Sequence, residues 1–339
     1  MEPSQPTDAY DYDLPAGRIA QVPVEPRDSA RLLVALDPAG AVDHRHVSDL
    51  PELLGPGDLL VVNETRVNPA RLHLEKDTGG QVEVLLLEPV RGGCWQALVR
   101  PSRRVPVGTV LHAGGRPALE AGPVFDSGDG RRLVTILDQD AVDGAGEVAL
   151  PPYVHEALAD PERYQTVYAR SPGSVAAPTA GLHLTPELLA RCQAAGAGLA
   201  RVDLAVGLGT FRPITSDRVE DHRMHSERYS VSAETLDRCR DARRVVAVGT
   251  TTVRALESAA ATGRPTGQTD LFIRPGFPFR VVDVLLTNFH LPRSSLLVML
   301  AAFCGARWRE LYDRALEQGY RFLSFGDAML VARSPDAGP

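Results

Sequence analysis

Two prolines frame a histidine in PTAGLHLTP, residues 178–186. Threonine before proline starts a helix well: the hydroxyl accepts a backbone N–H, and proline takes the first helical position, where its missing donor costs nothing. His183 is therefore expected on a short loop ahead of a helix, with Thr179 and Gly181 beside it. An imidazole there titrates near neutrality, which suits proton transfer.

Other stretches carry ligand chemistry. In VVAVGTTTVRAL, 245–256, an apolar strand ends at Gly249, Thr250, Thr251 and Thr252 follow, and a helix begins with Arg254 in its first turn. Free N–H groups at a helix start make an anion site for a carboxylate or phosphate. The alternative is that a threonine caps the helix and nothing binds. VGLGTFRP, 206–213, is a second strand-ending loop, whose Gly207 and Gly209 permit close approach to a flat ligand beside Thr210 and Phe211, or serve a tight turn. LTNFHLPRSS, 286–295, puts Asn288 and His290 at the carboxyl end of a strand, the edge where ligands collect in open α/β sheets. None of these glycine spacings is a dinucleotide fingerprint or a Walker loop.

His222 and His225 stand three apart in EDHRMHSERY, with no third ligand nearby, so no metal is expected and His225 remains a rival proton-transfer group. NETRVNPARL places Asn63, Arg66 and Arg71 beyond a strand, and VRPSRR adds Arg100, Arg103 and Arg104. On one face, such arginines hold phosphate backbone without reading bases; scattered, they are solvated surface.

The elements that must position these residues fall into two textures. RLLVAL (31–36) and DLLVVN (58–63) are buried strands. From Gln81 to Leu137 short strands broken by glycines (QVEVLLLE, CWQALVR, GTVLHA, RLVTILD) predict a small antiparallel barrel, placed at 70–151. After LPPYV, strands alternate with helices: a helix over 186–195, a strand at 199–206, a helix from the Ser232 cap to Arg243, a strand at 244–249, a helix closed by Gly263, a strand at 281–288 and two helices. That pattern predicts an α/β fold, a mixed, largely parallel sheet domain (1–69 and 152–339) with the barrel inserted.

With 339 residues, 44% hydrophobic and 23% charged, the chain is long enough for about two domains. Its apolar runs are too short to span a bilayer and its first residues are acidic and polar, so a cytoplasmic protein without membrane association is expected. The four cysteines have neither metal nor disulfide spacing and are expected as free thiols. A net charge of −7 gives no global attraction for nucleic acid, though a local basic patch suffices for an RNA partner.

YDLPAGRIAQVPVEPRDSARLLV, PGDLLVVNETRVNPARL, RPSRR, ERYQTVYA, VAAPTAGLHLT, VGLGTFRPI, HRMHSERY, VVAVGTTTVRALES, LTNFHLPRSSLL and YRFLSFGDAML, in this order, resemble the motifs of the S-adenosylmethionine:tRNA ribosyltransferase-isomerases of queuosine biosynthesis. The resemblance covers nearly the whole chain. It implies an α/β domain with an inserted β-barrel, and a transferase that moves and isomerises the ribosyl part of S-adenosylmethionine, its co-substrate. The acceptor implied is the aminomethyl group of 7-aminomethyl-7-deazaguanine at the tRNA wobble position; the products are epoxyqueuosine-tRNA, adenine and methionine. The sequence departs from the family pattern at Leu184, where phenylalanine is expected, at Ala205, where histidine is expected, and after Tyr153, where a basic residue is missing. A paralogue acting on a free deazapurine or other small amine is the alternative. A non-catalytic RNA-binding protein is disfavoured by the acidic charge and 6% aromatic content.

On that resemblance His183 is assigned proton transfer, with His290 and His225 as rivals. Thr250, Thr251, Thr252 and Arg254 would receive the methionine carboxylate. Gly207, Gly209, Thr210 and Phe211, with Thr179 and Gly181, would line the nucleoside, and Asn288 would orient a hydroxyl or ring nitrogen. Asn63, Arg66, Arg71, Arg100, Arg103 and Arg104 would hold tRNA, and the enzyme would act as a monomer.

Overall fold

The computed structural model describes residues 5–38, 40–125, 130–207 and 213–337. The strands in chain order are β1 (Arg31–Ala35), β2 (Asp43–His46), β3 (Asp58–Asn63), β4 (Thr65–Val67), β5 (Arg71–Lys76), β6 (Gln81–Pro89), β7 (Cys94–Arg100), β8 (Val110–Ala113), β9 (Arg116–Val124), β10 (Arg131–Ile136) and β11 (Gly146–Glu147). After β12 (Ser171–Ser174) come β13 (Gly198–Leu204), β14 (Glu227–Val231), β15 (Arg244–Val248), β16 (Thr266–Thr269), β17 (Val284–Asn288) and β18 (Ala328–Ala332). The helices are α1 (Leu50–Leu53), α2 (Gln139–Ala145), α3 (Pro186–Ala194), α4 (Ala233–Asp241), α5 (Thr250–Thr262), α6 (Ser295–Cys304) and α7 (Trp308–Glu317). The chain forms two compact units; the smaller comprises Val67–Leu150 and Pro172–Ala176.

The larger unit is built on one mixed sheet, in the order β16-β14-β13-β3-β15-β17-β18-β1-β2. Its central strands β13, β3, β15 and β17 run parallel, so Leu204, Asn63, Val248 and Asn288 all end at one edge. All six residues of DLLVVN are buried, as in a strand covered on both faces. Antiparallel strands complete the margins, with β18 inserted antiparallel to β17 and parallel to β1. On one face Leu32, Val34, Leu60, Val62, Val246 and Leu286 pack with Leu50, Leu184 and Leu188. Each such side chain is worth about 2 kcal/mol when fully buried. Leu184 therefore departs from the family pattern inside the core, where it is a packing matter.

The helix signals hold locally. Thr185 caps α3 by accepting from the Leu188 amide at 3.0 Å, with Pro186 next, Ser232 caps α4 through the Thr235 amide, and Gly263 ends α5 in the left-handed region at φ 66°.

The smaller unit is an antiparallel barrel, β5-β6-β7-β10-β9-β8, closed by pairing of β5 with β8. Leu72 and Leu74 point inward and His73 and Glu75 outward, the period-two alternation of a small filled barrel. The fold is thus the expected α/β class with an inserted barrel. Strand β9 gave no clear sequence signal, because Pro117, Gly122 and Pro123 interrupt it.

Candidate active site

The parallel strands deliver the singled-out loops to one edge. Asn288, the last residue of β17, lines a cleft with Tyr153, Thr179, His290, Leu323 and Ser324. Its Nδ2 donates to the Leu323 carbonyl at 3.2 Å and to His183 Nε2 at 3.0 Å, and its Oδ1 accepts from Thr179 Oγ1 at 3.1 Å. A carbonyl can only accept, so the amide nitrogen must face Leu323, and the same nitrogen meets an unprotonated Nε2. His183 is therefore a neutral imidazole with its proton on Nδ1.

His183 departs from expectation in two ways. It does not titrate near neutrality: burial, followed by the nearby Arg163, Arg321 and Arg27 guanidiniums, pushes its pKa down to about 4. Nor does it line the cleft; it is buried in the turn Thr179–His183 and reaches the cleft through Asn288. His290 does line it, and burial pushes its pKa down to about 3. Its Nε2 lies 3.1 Å from Thr287 Oγ1, and its backbone N–H donates to Tyr312 Oη at 2.8 Å. His225 is exposed on the loop before β14 and lines neither this cleft nor the slot beside it.

Gly181 explains its residue type by crowding. A Cβ there would stand 2.0 Å from Tyr168 Oη and 2.9 Å from Thr166 Cγ2, so its contribution is room for the turn and not a ligand contact. Leu323 holds a left-handed φ of 70°, uncommon for a branched residue, while its carbonyl fixes Asn288.

A second, narrower slot adjoins this cleft, with Leu296 in the walls of both; Thr250, Thr251, Arg254, Phe272, Ser295 and Met299 line it. No threonine caps α5: its N-cap is Gly249, at φ 86°, with no side-chain hydrogen bond. Thr252 is removed from ligand contact, fully buried with its hydroxyl donating to the Val248 carbonyl at 2.7 Å. Arg254 is not free to receive a carboxylate, because it pairs with the buried Glu227 and donates to the Leu271 carbonyl. Glu227 also accepts from the Gly207 amide at 2.8 Å, so this ion pair anchors Gly207. Gly209, Thr210 and Phe211 lie outside the described residues.

Asn63 is not placed to contact tRNA, contrary to expectation. It is fully buried, donating to the Leu204 carbonyl and Thr251 Oγ1 and accepting from the Leu204 and Thr65 amides; it joins β3, β13 and α5. Arg66 is half-buried and pairs with Glu162 at 2.7 Å. Arg71, half-buried, belongs to the barrel unit with the exposed Arg100, Arg103 and Arg104. In that unit the buried Arg132 donates to the Ser102, Val105 and Gly122 carbonyls, and Lys76 donates to the Arg104 carbonyl, so the turn bearing Arg103 and Arg104 is pinned from beneath.

Sequence reasoning missed Tyr153, Ser324, Glu227, Ser295 and Arg132. Tyr153 Oη lies 2.7 Å from Ser324 Oγ in the cleft; Ser324 sits in YRFLSFGDAML and Tyr153 in LPPYV, but nothing local marks either. Among the described residues no three His, Cys, Asp or Glu are grouped to hold a metal, and no helix is long and apolar enough to cross a membrane. The four cysteines are free thiols.

Residues 7–331 match the family described as queuosine biosynthesis protein. The chain is 52% identical over 327 residues to the S-adenosylmethionine:tRNA ribosyltransferase-isomerase of Rubrobacter xylanophilus, covering 96% of this chain and 97% of that one. It is 52% identical over 343 residues to the protein of the same name from Thermus thermophilus, covering 96% and 99%. The crystal structure of S-adenosylmethionine tRNA ribosyltransferase from Thermotoga maritima is 38% identical, with a TM-score of 0.55, covering 95% of this chain and 99% of that one.

Proposed function

The chain belongs to the queuosine biosynthesis protein family, and from that premise we propose how its residues carry the reaction of an S-adenosylmethionine:tRNA ribosyltransferase-isomerase. The enzyme is a transferase that moves and isomerises the ribosyl group of S-adenosylmethionine onto the aminomethyl group of 7-aminomethyl-7-deazaguanine in tRNA. Adenine and methionine are released. The single observation carrying this reading is the end-to-end match to relatives half identical to it.

The sulfonium of the donor acidifies its C5′ hydrogens, and loss of one gives an ylide whose collapse expels adenine. The proton acceptor must face the cleft and be unprotonated. His290 meets both conditions, since it lines the cleft and burial keeps it neutral at physiological pH; the same burial makes it a weaker base than a free imidazole, so the step leans on the acidity that the sulfonium confers. Asn288 has spent both amide hydrogens and one lone pair of Oδ1 on protein. Its remaining lone pair is suited to accept from a ribose hydroxyl. His183 acts through Asn288, as a positioning residue.

Arg66, Arg71, Arg100, Arg103 and Arg104 hold tRNA phosphates in this reading, each a local positive charge on a chain of net charge −7. The larger unit carries the chemistry and the barrel unit most of the RNA contacts. The enzyme works in the cytoplasm as a monomer, with S-adenosylmethionine as co-substrate and no metal.

Adenine release, followed with S-adenosylmethionine and either precursor tRNA or the free deazapurine, tests this. Turnover with tRNA alone is expected. Turnover with the free base and none with tRNA overturns it in favour of a small-amine acceptor.

A further inference from the structure

The slot beside the cleft has one polar end. There α5 and α6, of 13 and 10 residues, both present their N-termini to the same space, through Thr250 and Thr251 on one side and Ser295 on the other. Each helix start carries partial positive charge and amides without intrahelical partners. α5 has no capping side chain.

Ser295 adds a buried hydroxyl to the same end of the slot. It is 4% exposed, it lines the slot, and its Oγ has no hydrogen-bond partner among the described residues. Capping does not explain the hydroxyl, because Ser294 already caps α6 by accepting from the Leu297 amide at 3.2 Å. Leaving a buried hydroxyl unpaired is costly, so a ligand oxygen is the natural partner. Arg254, in the same wall, is already neutralised by Glu227. The remaining wall is apolar, with Leu271, Phe272 and Met299 matching the methylenes of a methionyl chain. Leu296 separates the slot from the cleft of Asn288 and His290, so a molecule with an amino acid at one end and a nucleoside at the other would reach both.

We propose that the methionyl end of S-adenosylmethionine occupies this slot, its carboxylate held by Ser295 Oγ and the Thr250 and Thr251 amides. The assignment rests on the donor named above and adds the orientation in which it lies: carboxylate at the paired helix starts, ribose across Leu296.

Calorimetric titration of the full-length protein and Ser295→Ala with S-adenosylmethionine and its decarboxylated analogue tests this. Ser295→Ala is expected to weaken S-adenosylmethionine roughly tenfold or more, as for loss of a hydrogen bond to a charged group, and to leave the analogue within about twofold. Equal weakening of both ligands, or of neither, overturns the proposal while leaving the donor intact. A parent protein that binds no S-adenosylmethionine overturns the donor and the proposal together. Should Ser295→Ala not fold, the parent decides alone: a preference for S-adenosylmethionine of about tenfold or more is expected, and equal affinity for the two ligands overturns the carboxylate site.

Discussion

Asn288 Nδ2 donates to His183 Nε2 at 3.0 Å, coupling the last residue of a central strand to a buried imidazole 105 positions earlier. The bond requires His183 to be unprotonated. Asn288→Asp replaces the donor with an acceptor facing both Leu323 O and His183, and its charge raises the His183 pKa from about 4. A kcat loss of roughly 10²-fold is expected, with the acid limb of the pH profile displaced upward. Unchanged kcat and an unmoved profile would remove Asn288 from the machinery.

Gly181→Ala tests the crowding beneath that pair. The new methyl would stand 2.0 Å from Tyr168 Oη, so either the turn Thr179–His183 or the tyrosine must move. A loss of about 2–4 kcal/mol is expected from overpacking, read as a lower urea midpoint. Full retention of stability would show that the turn adapts.

Stability should depend on pH through His183 and His290. Both have folded pKa values, about 4 and about 3, below the ordinary 6.5. The unfolded chain therefore binds more protons as pH falls through 6.5, and stability is lost progressively until the folded values are reached. His183 alone accounts for about 3 kcal/mol across its window. Melting curves from pH 7 to 4 should fall more steeply for the parent than for His183→Asn; parallel curves would contradict this.

In the barrel unit, Arg132→Met keeps bulk but leaves the Ser102, Val105 and Gly122 carbonyls without their donor. We expect a stability loss of about 2–4 kcal/mol and a KM for tRNA raised several-fold with kcat little changed. The turn carrying Arg103 and Arg104 would lose its hold from beneath. A KM equal to the parent's would show that the turn does not depend on Arg132.

Much of the architecture was legible in local sequence. The Thr185-Pro186 start, the Ser232 cap and the Gly263 stop each involve residues within a few positions, so the sequence states them directly. The run DLLVVN announced a buried strand for the same reason. The margins of the sheet were harder: β14 and β18 are five-residue strands whose partners lie far along the chain.

The candidate site divides the same way. Residue types at strand ends marked Asn288, His290, Thr250 and Thr251 from sequence alone. Which of them face a ligand depends on distant partners: Glu227 takes Arg254, Leu204 and Thr251 take Asn63, and Asn288 takes His183. The burial that holds both histidines neutral likewise comes from packing. Capping and turn chemistry act over a few residues and leave their mark in the sequence; hydrogen-bond capacity and desolvation are settled by whatever the topology brings alongside, and only the folded chain decides that.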